Sequence, residues 1–296
     1  MNKSIDTKNK PWKGFVQGSI GAVIGGCSAH PLDLLKVRMQ LQGENIKKNK
    51  INLVNTGINI IKYEGISGLF KGVDACIARQ MVYSGTRFGM YDIFKKSLDE
   101  KDNKISMTSK ILCAAFAGSI GSFVANPGDL VLVRMQADGN KPIGEKRGYT
   151  SFCNAFKIIS RKEGIVNMWT NGLLPNMNRA MITTVGQLAM YDQCKEKLKH
   201  FGAKESISTH FGASFMAAFI ASVMSNPIDV AKTRLMNQNA QKKIYSGMWN
   251  CITTIIKKEG VLSLYNGFSA TFIRQCPYVV VTWITIEQLK LMMKNL

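Results

Sequence analysis

Pro31-Leu-Asp-Leu-Leu-Lys-Val-Arg-Met-Gln40, Pro127-Gly-Asp-Leu-Val-Leu-Val-Arg-Met-Gln136 and Pro227-Ile-Asp-Val-Ala-Lys-Thr-Arg-Leu-Met236 are three versions of one decapeptide in a chain of 296 residues. Their prolines lie 96 and then 100 residues apart. Downstream of each comes a second echo: Glu64-Gly65 leading to Phe70-Lys-Gly72, Glu163-Gly164 to Trp169-Thr-Asn-Gly172, and Glu259-Gly260 to Tyr265-Asn-Gly267. Seven residues past each closing glycine stands an arginine: Arg79, Arg179 or Arg274. Tyr91-Asp-Ile-Phe-Lys95, Tyr191-Asp-Gln-Cys-Lys195 and Ile286-Glu-Gln-Leu-Lys290 close the units. A repeat at a fixed period overrides the two-domain prior that length alone suggests. It divides the chain into a tail (1–11) and units 12–104, 105–204 and 205–296.

The segments that open the units and lead into each proline carry no charge from Gly14 to Leu32, Ile111 to Gly128 and Phe211 to Ile228. Each approaches the ~20 residues that cross a bilayer core as a helix. Small residues four apart (Gly21/Gly25, Ala117/Gly121, Ala213/Ala217) suit helices packed closely in lipid. A glycine-tolerant core helix of a soluble bundle is the alternative for one such segment, but not for three at one phase. The partner segments, about Gly72 to Lys95, Gly172 to Lys195 and Gly267 to Lys290, contain the arginines. A charge at membrane depth is expected to face protein or water. The fold expected is therefore all-α and membrane-embedded: six transmembrane helices in three pseudo-threefold hairpins around an aqueous path.

Composition fits this reading. With 46% hydrophobic residues the chain is not disordered, and 39 Lys+Arg against 19 Asp+Glu give a net charge of +20. A mean hydropathy of −0.02 averages apolar helices with basic connections. Lys47, Lys48, Lys50, Lys146, Lys242, Lys243, Lys257 and Lys258 are dispersed over hydrophilic connections. No stacking-aromatic motif or zinc-ligand set accompanies them, which argues against a nucleic-acid partner. His30, His200 and His210 lack metal-ligand spacing, and neither a phosphate loop nor a nucleophile elbow occurs, which argues against an enzyme and against a metal or other cofactor. His30, beside Pro31, is read as a packing residue. The seven dispersed cysteines read as small buried thiols. The first ten residues resemble neither a secretory signal nor a transit peptide, so an organellar address is expected to be internal.

Three copies of Pro-x-Asp-x-x-[Lys/Arg]-x-Arg, each followed by Glu-Gly and aromatic-x-Gly elements, resemble the mitochondrial carrier family over essentially everything after Trp12, except that Leu132 takes the basic place in the second copy. The resemblance implies an inner-membrane, multi-pass carrier, monomeric, in contact with membrane lipids such as cardiolipin. It puts the basic connections on the matrix side, as the positive-inside rule asks. It also implies that each proline kinks its helix, and that Asp33, Lys36, Asp129, Asp229 and Lys232 form a matrix gate with Gln40 and Gln136 as braces. The acid of one repeat pairs with the base of the next, so Leu132 is expected to leave Asp33 without its cation and the gate with two ion pairs. A second gate is expected at the opposite end from Asp92, Asp192 and Glu287 with Lys95, Lys195 and Lys290; acid and base three apart also suit a solvated helix face.

Arg79, Arg179 and Arg274 share one phase, so a threefold assembly brings them to one level, ~10 Å into each helix at 1.5 Å per residue. Guanidinium groups hold carboxylates bidentately and keep their charge. Three suit a small dianion. Eight residues further on stand Arg87 and Gln187, matching the oxoglutarate/malate branch of the family. There Arg87 would meet a second carboxylate and Gln187 a keto or hydroxyl group; pairing with an acid and bridging of helices are the structural alternatives. Leu132 also fits that branch and makes uncoupling proteins, which carry lysine there, the less similar one. The Arg-rich run of adenine nucleotide carriers is missing, and Ala180 beside Arg179 offers no acid for an amino-acid ammonium. The resemblance implies exchange of 2-oxoglutarate for malate or related dicarboxylates; a dicarboxylate–phosphate or uncoupling-type carrier is the alternative. The second repeat's Trp169-Thr-Asn-Gly172 is one residue longer than its counterparts, an irregularity that pattern alone does not explain.

Overall fold

A computed structural model describes residues 11–41, 52–99, 107–139, 141, 144, 146–200, 207–238 and 244–294. Among these there is no β-strand. Repeat one contains α1 (Pro11–Leu41), α2 (Leu53–Glu64) and α3 (Val73–Asp99). Repeat two contains α4 (Met107–Asp138), α5 (Phe152–Glu163), α6 (Ile165–Thr170) and α7 (Leu173–His200). Repeat three contains α8 (Ile207–Asn237), α9 (Met248–Glu259), α10 (Phe268–Ile273) and α11 (Gln275–Lys294). Short 3₁₀ turns at Ile66–Phe70 and Val261–Tyr265 occupy the place of α6 in repeats one and three.

The long helices form a ring in chain order. α1 packs on α3, α3 on α4, α4 on α7 and α7 on α8; α8 reaches α10, and α10 and α11 return to α1. α10 and α11 are one helix interrupted at Arg274. Pro277 explains the break, because it offers no N–H to the carbonyl of Ile273 four residues earlier. At the seam, Phe219 stands edge-on to Phe268 and Phe272, with centroids 5.6 and 5.4 Å apart.

Pro31, Pro127 and Pro227 lie inside α1, α4 and α8 without ending them. Before the prolines, burial alternates with the helical turn; beyond them, residues 34–41, 129–138 and 229–236 are buried without interruption. Such all-round burial means that α1, α4 and α8 converge on the axis, where they touch one another. The short helices bury one stripe each, Thr56 and Ile60 on α2, Ala155 and Ile159 on α5, Cys251 and Ile255 on α9, as an i, i+4 spacing dictates. α2, α5 and α9 each end on a glutamate followed by a positive-φ glycine.

The extra residue of repeat two is absorbed by a change of helix type. Lys71 N–H and Asn266 N–H close their 3₁₀ turns on the carbonyls three residues back, Gly68 and Ser263; Asn171 N–H reaches four back, to Asn167. A 3₁₀ turn widened to an α turn takes one more residue and still brings the chain to the same place. That place is demanding: Gly172 has φ +72°, and a Cβ there would lie 2.6 Å from Met236 Cγ.

Polarity runs inside out. Lys36, Gln40, Asp129, Asp229 and Lys232 are buried, whereas Ile20, Ile24, Phe116, Phe123, Phe219 and Val280 are exposed. Only Thr108–Asp138, among the described residues, is long and apolar enough by hydropathy to cross a membrane. The expectation of seven buried thiols fails: Cys76, Cys194 and Cys251 are buried, Cys27 and Cys113 half-buried, and Cys153 and Cys276 exposed. A thiol is small and apolar enough to stand on either face of such a helix.

Candidate functional site

On the axis, just beyond the prolines, the charged residues of three repeats meet around a cavity of about 80 Å³. Its floor has two lysine–aspartate pairs: Lys36 Nζ donates to Asp229 Oδ2 at 2.6 Å, and Lys232 Nζ lies 3.4 Å from Asp129 Oδ2. Each joins the base of one repeat to the acid of the preceding one in cyclic order, as expected. Where a third would form, Leu132 faces the cavity. Asp33 is nevertheless paired, to Arg274 of α11's N-terminal edge. The expectation that Asp33 lacks its cation is thus right for lysine and wrong for the side chain as a whole; a partly buried carboxylate takes the nearest donor that reaches it.

The other two arginines sit likewise over α8 and α4. Arg179 pairs with Asp229, and Arg79 Nη1 lies 3.5 Å from Asp129 Oδ1. All three arginines therefore meet at one level, as their phase implies, and each faces an aspartate of a decapeptide. Five cations surround three carboxylates, leaving the lining of this cavity with a net charge of +2. A dianion would neutralise it.

Arg87 is half-buried and does not line this cavity. It lines another of about 320 Å³, with Tyr91 and Lys110 between α3 and α4. Gln40 accepts from Thr233 Oγ1 at 2.7 Å and so ties α1 to α8, without bonding either ion pair. Gln136 Nε2 is buried with no hydrogen-bond partner among the described residues. Neither glutamine braces a pair here. Thr233 occupies Gln40's acceptor, and in repeat two there is no lysine for Gln136 to brace. Asp92 is half-buried and Glu287 exposed, with no ion pair to described residues. The side chains of Gln187, Lys95, Asp192, Lys195 and Lys290 lie outside the described residues, as do Lys47, Lys48, Lys50, Lys242 and Lys243.

Two repeated devices escaped the sequence reading. The arginine at the eighth place of each decapeptide pairs with the glutamate ending its own repeat's short helix: Arg38 with Glu64, Arg134 with Glu163, Arg234 with Glu259, all buried arginines in two-pronged contacts. Each also donates to a carbonyl near the C-terminus of the next proline helix in cyclic order, α4, α8 or α1. Arg38 Nε reaches Gln136 O at 3.2 Å, Arg134 Nε reaches Met236 O at 2.9 Å, and Arg234 Nε reaches Gln40 O at 3.4 Å. A cation at a helix C-terminus is favoured by unsatisfied carbonyls and the helix dipole. The second device is the residue before each proline. His30 Nε2 lies 3.1 Å from Lys71 O, Asn126 Nδ2 donates to Met168, Trp169 and Asn171 carbonyls, and Asn226 Nδ2 to Leu264 O. His30 is thus a packing residue, as read. The signal for the first device was present, since Arg and Glu-Gly recur in every unit; only their pairing was not drawn.

Fold and site together define a pseudo-threefold helical membrane protein with a cationic central cavity. Comparison with known proteins takes this further. A family model described as mitochondrial carrier protein matches residues 7–102, 103–202 and 203–296. The chain belongs to the mitochondrial carrier family, whose members are transporters in mitochondrial membranes. Mitochondrial uncoupling protein 5 of Arabidopsis thaliana is 42% identical over 96% of this chain and 98% of its own length. The mitochondrial dicarboxylate carrier of Caenorhabditis elegans is 39% identical over 93% and 92%, and a probable mitochondrial 2-oxoglutarate/malate carrier protein of Dictyostelium discoideum 38% over 98% and 92%. The inference from Leu132 that uncoupling proteins are the less similar branch is therefore corrected. One position in the gate does not set similarity over the whole chain.

Proposed function

We propose that the chain is a multi-pass inner-membrane antiporter that exchanges 2-oxoglutarate for malate or related dicarboxylates, working as a monomer among membrane lipids, cardiolipin included. The observation that carries this reading is the charge of the cavity: three arginines at one level, and a net +2 that a dicarboxylate dianion neutralises. Relatives named as 2-oxoglutarate/malate and dicarboxylate carriers support it. In this reading the matrix gate is closed, by Lys36–Asp229, Lys232–Asp129 and the stand-in Arg274–Asp33. A substrate carboxylate competes with these aspartates for the same guanidinium groups. It loosens the gate in proportion to its preference for the arginines as they stand when the gate is open. Arg87, Gln187 and the acid–base pairs at Asp92/Lys95, Asp192/Lys195 and Glu287/Lys290 are assigned to the path and gate on the other side.

An anion carrier of uncoupling or dicarboxylate–phosphate type is the second reading, favoured by the 42% identity to a relative named as an uncoupling protein. Reconstitution into liposomes separates the two. Labelled 2-oxoglutarate should enter only vesicles preloaded with malate, oxoglutarate or a similar dicarboxylate, and Arg79→Ala, Arg179→Ala and Arg274→Ala should each abolish entry. Entry that needs no internal dicarboxylate, or survives these substitutions, overturns the proposal.

A further inference from the structure

The three cavity arginines are not held alike. Arg179 and Arg274 each have an aspartate in close contact, whereas Arg79 is 3.5 Å from an Asp129 that also serves Lys232 and Asn176. Arg79's firm bond is neutral: Nη2 donates to Gln80 Oε1 at 2.6 Å. Gln80 is buried on α3, and its amide nitrogen donates to the hydroxyl of Tyr278 on α11 at 3.1 Å. An arginine offers only donors, so the amide oxygen must face Arg79 and the amide nitrogen must face Tyr278. The chain Arg79–Gln80–Tyr278 therefore has one direction.

This chain joins repeat one to repeat three across α1, which lies between α3 and α11. It passes where α1 is thinnest. A Cβ at Gly26 would lie 3.9 Å from Gln80 Cγ, and one at Gly25 would lie 3.0 Å from Tyr278 O. The other repeats lack it: Ala180 follows Arg179, and the side chain of Gln275, which follows Arg274, has no hydrogen bond among the described residues.

We infer that Gln80 and Tyr278 are positioning residues for Arg79, a strap from α11 to α3 that aims one guanidinium into the cavity without neutralising it. The consequence, which rests on the dicarboxylate reading above, is that Arg79 is the arginine best placed to receive the first substrate carboxylate. An amide oxygen directs a guanidinium as a carboxylate does, but leaves its charge for the substrate.

The test is exchange kinetics in liposomes for wild type, Tyr278→Phe, Gln80→Leu, Gln80→Glu and the Tyr278→Phe/Gln80→Leu pair, with melting temperature measured in parallel. 2-Oxoglutarate, malate, phosphate, sulfate and chloride form the substrate panel. Tyr278→Phe should raise the half-saturating concentration about three- to tenfold, the effect of one hydrogen bond, at nearly unchanged maximal rate. Gln80→Leu should raise it at least as far, and the double variant no further than Gln80→Leu alone. Gln80→Glu, which supplies a carboxylate in the same place, should weaken uptake more than Gln80→Leu does. A Tyr278→Phe protein with unchanged half-saturation, or one altered only in melting temperature or maximal rate, overturns the strap, as do additive effects in the double variant. If the wild type carries phosphate, sulfate or chloride but neither dicarboxylate, the substrate reading falls while the strap is judged by the same ratios on the anion carried. A wild type that carries none of them overturns both.

Discussion

The corner where α1 meets α8 and the corner where α1 meets α4 descend from one repeated design and are built differently. At the first, Lys36 and Arg179 share Asp229, so the carboxylate has a floor cation and a cavity cation. At the second, Leu132 replaces the floor cation, and among the described residues Asp33 is paired by Arg274 alone. Withdrawal of an arginine by substrate therefore leaves Asp229 still paired and Asp33 bare. The gate is held by one more bond at one corner than at the other, and opening is expected to start where α1 faces α4.

Several substitutions would break or sharpen this contrast. The largest effect is expected from Arg274→Ala compared with Arg179→Ala. Both should reduce exchange by at least about a hundredfold, but Arg274→Ala should also lose clearly more stability. It strips Asp33 of its only paired cation among the described residues, and breaking a buried pair from one side costs ~3–5 kcal/mol, with partial exposure placing this case at or below the low end. Equal melting temperatures for the two variants would refute the asymmetry. Next comes Leu132→Lys, which supplies the missing floor cation. It should raise the melting temperature in a membrane mimetic by roughly 2–5 °C and slow exchange. Added to Arg274→Ala, it should restore stability without restoring transport. A third and smaller effect concerns the anchors before the prolines. Asn126→Ala removes the donor to three carbonyls and should cost ~1–2 kcal/mol, more than Asn226→Ala, whose backbone partner is Leu264 alone. The smallest is Gln136→Leu, since the Gln136 amide nitrogen is buried with no partner among the described residues; the melting temperature should stay within about one degree of wild type. A fall comparable to that from Lys36→Met would show that Gln136 braces the gate after all.

Much of this was legible in the sequence because the threefold repeat replaces an alignment. Arg79, Arg179 and Arg274 were placed at one level by counting from a glycine, and helical rise makes such counting reliable over two turns. The lysine–aspartate pairs followed from cyclic order in the family resembled. Pairings that cross phases did not follow. Arg38 with Glu64 joins elements that had been used only as markers of position, and Gln80 with Tyr278 joins residues with no common phase. Arg87 shows the limit of face-counting, since eight residues along a helix return nearly the same face but not the same cavity.

The amino-acid order by itself determined the number of units, the helix positions, the axial level of the charged residues and the absence of a third lysine, because all of these are local and periodic. Only the tertiary structure decided what Asp33 does without that lysine, how the extra residue near Trp169 is absorbed, and which groups hold Arg79. Each of these is a competition among donors and acceptors from different repeats, and its outcome depends on separations of a few tenths of an ångström that no spacing along the chain encodes.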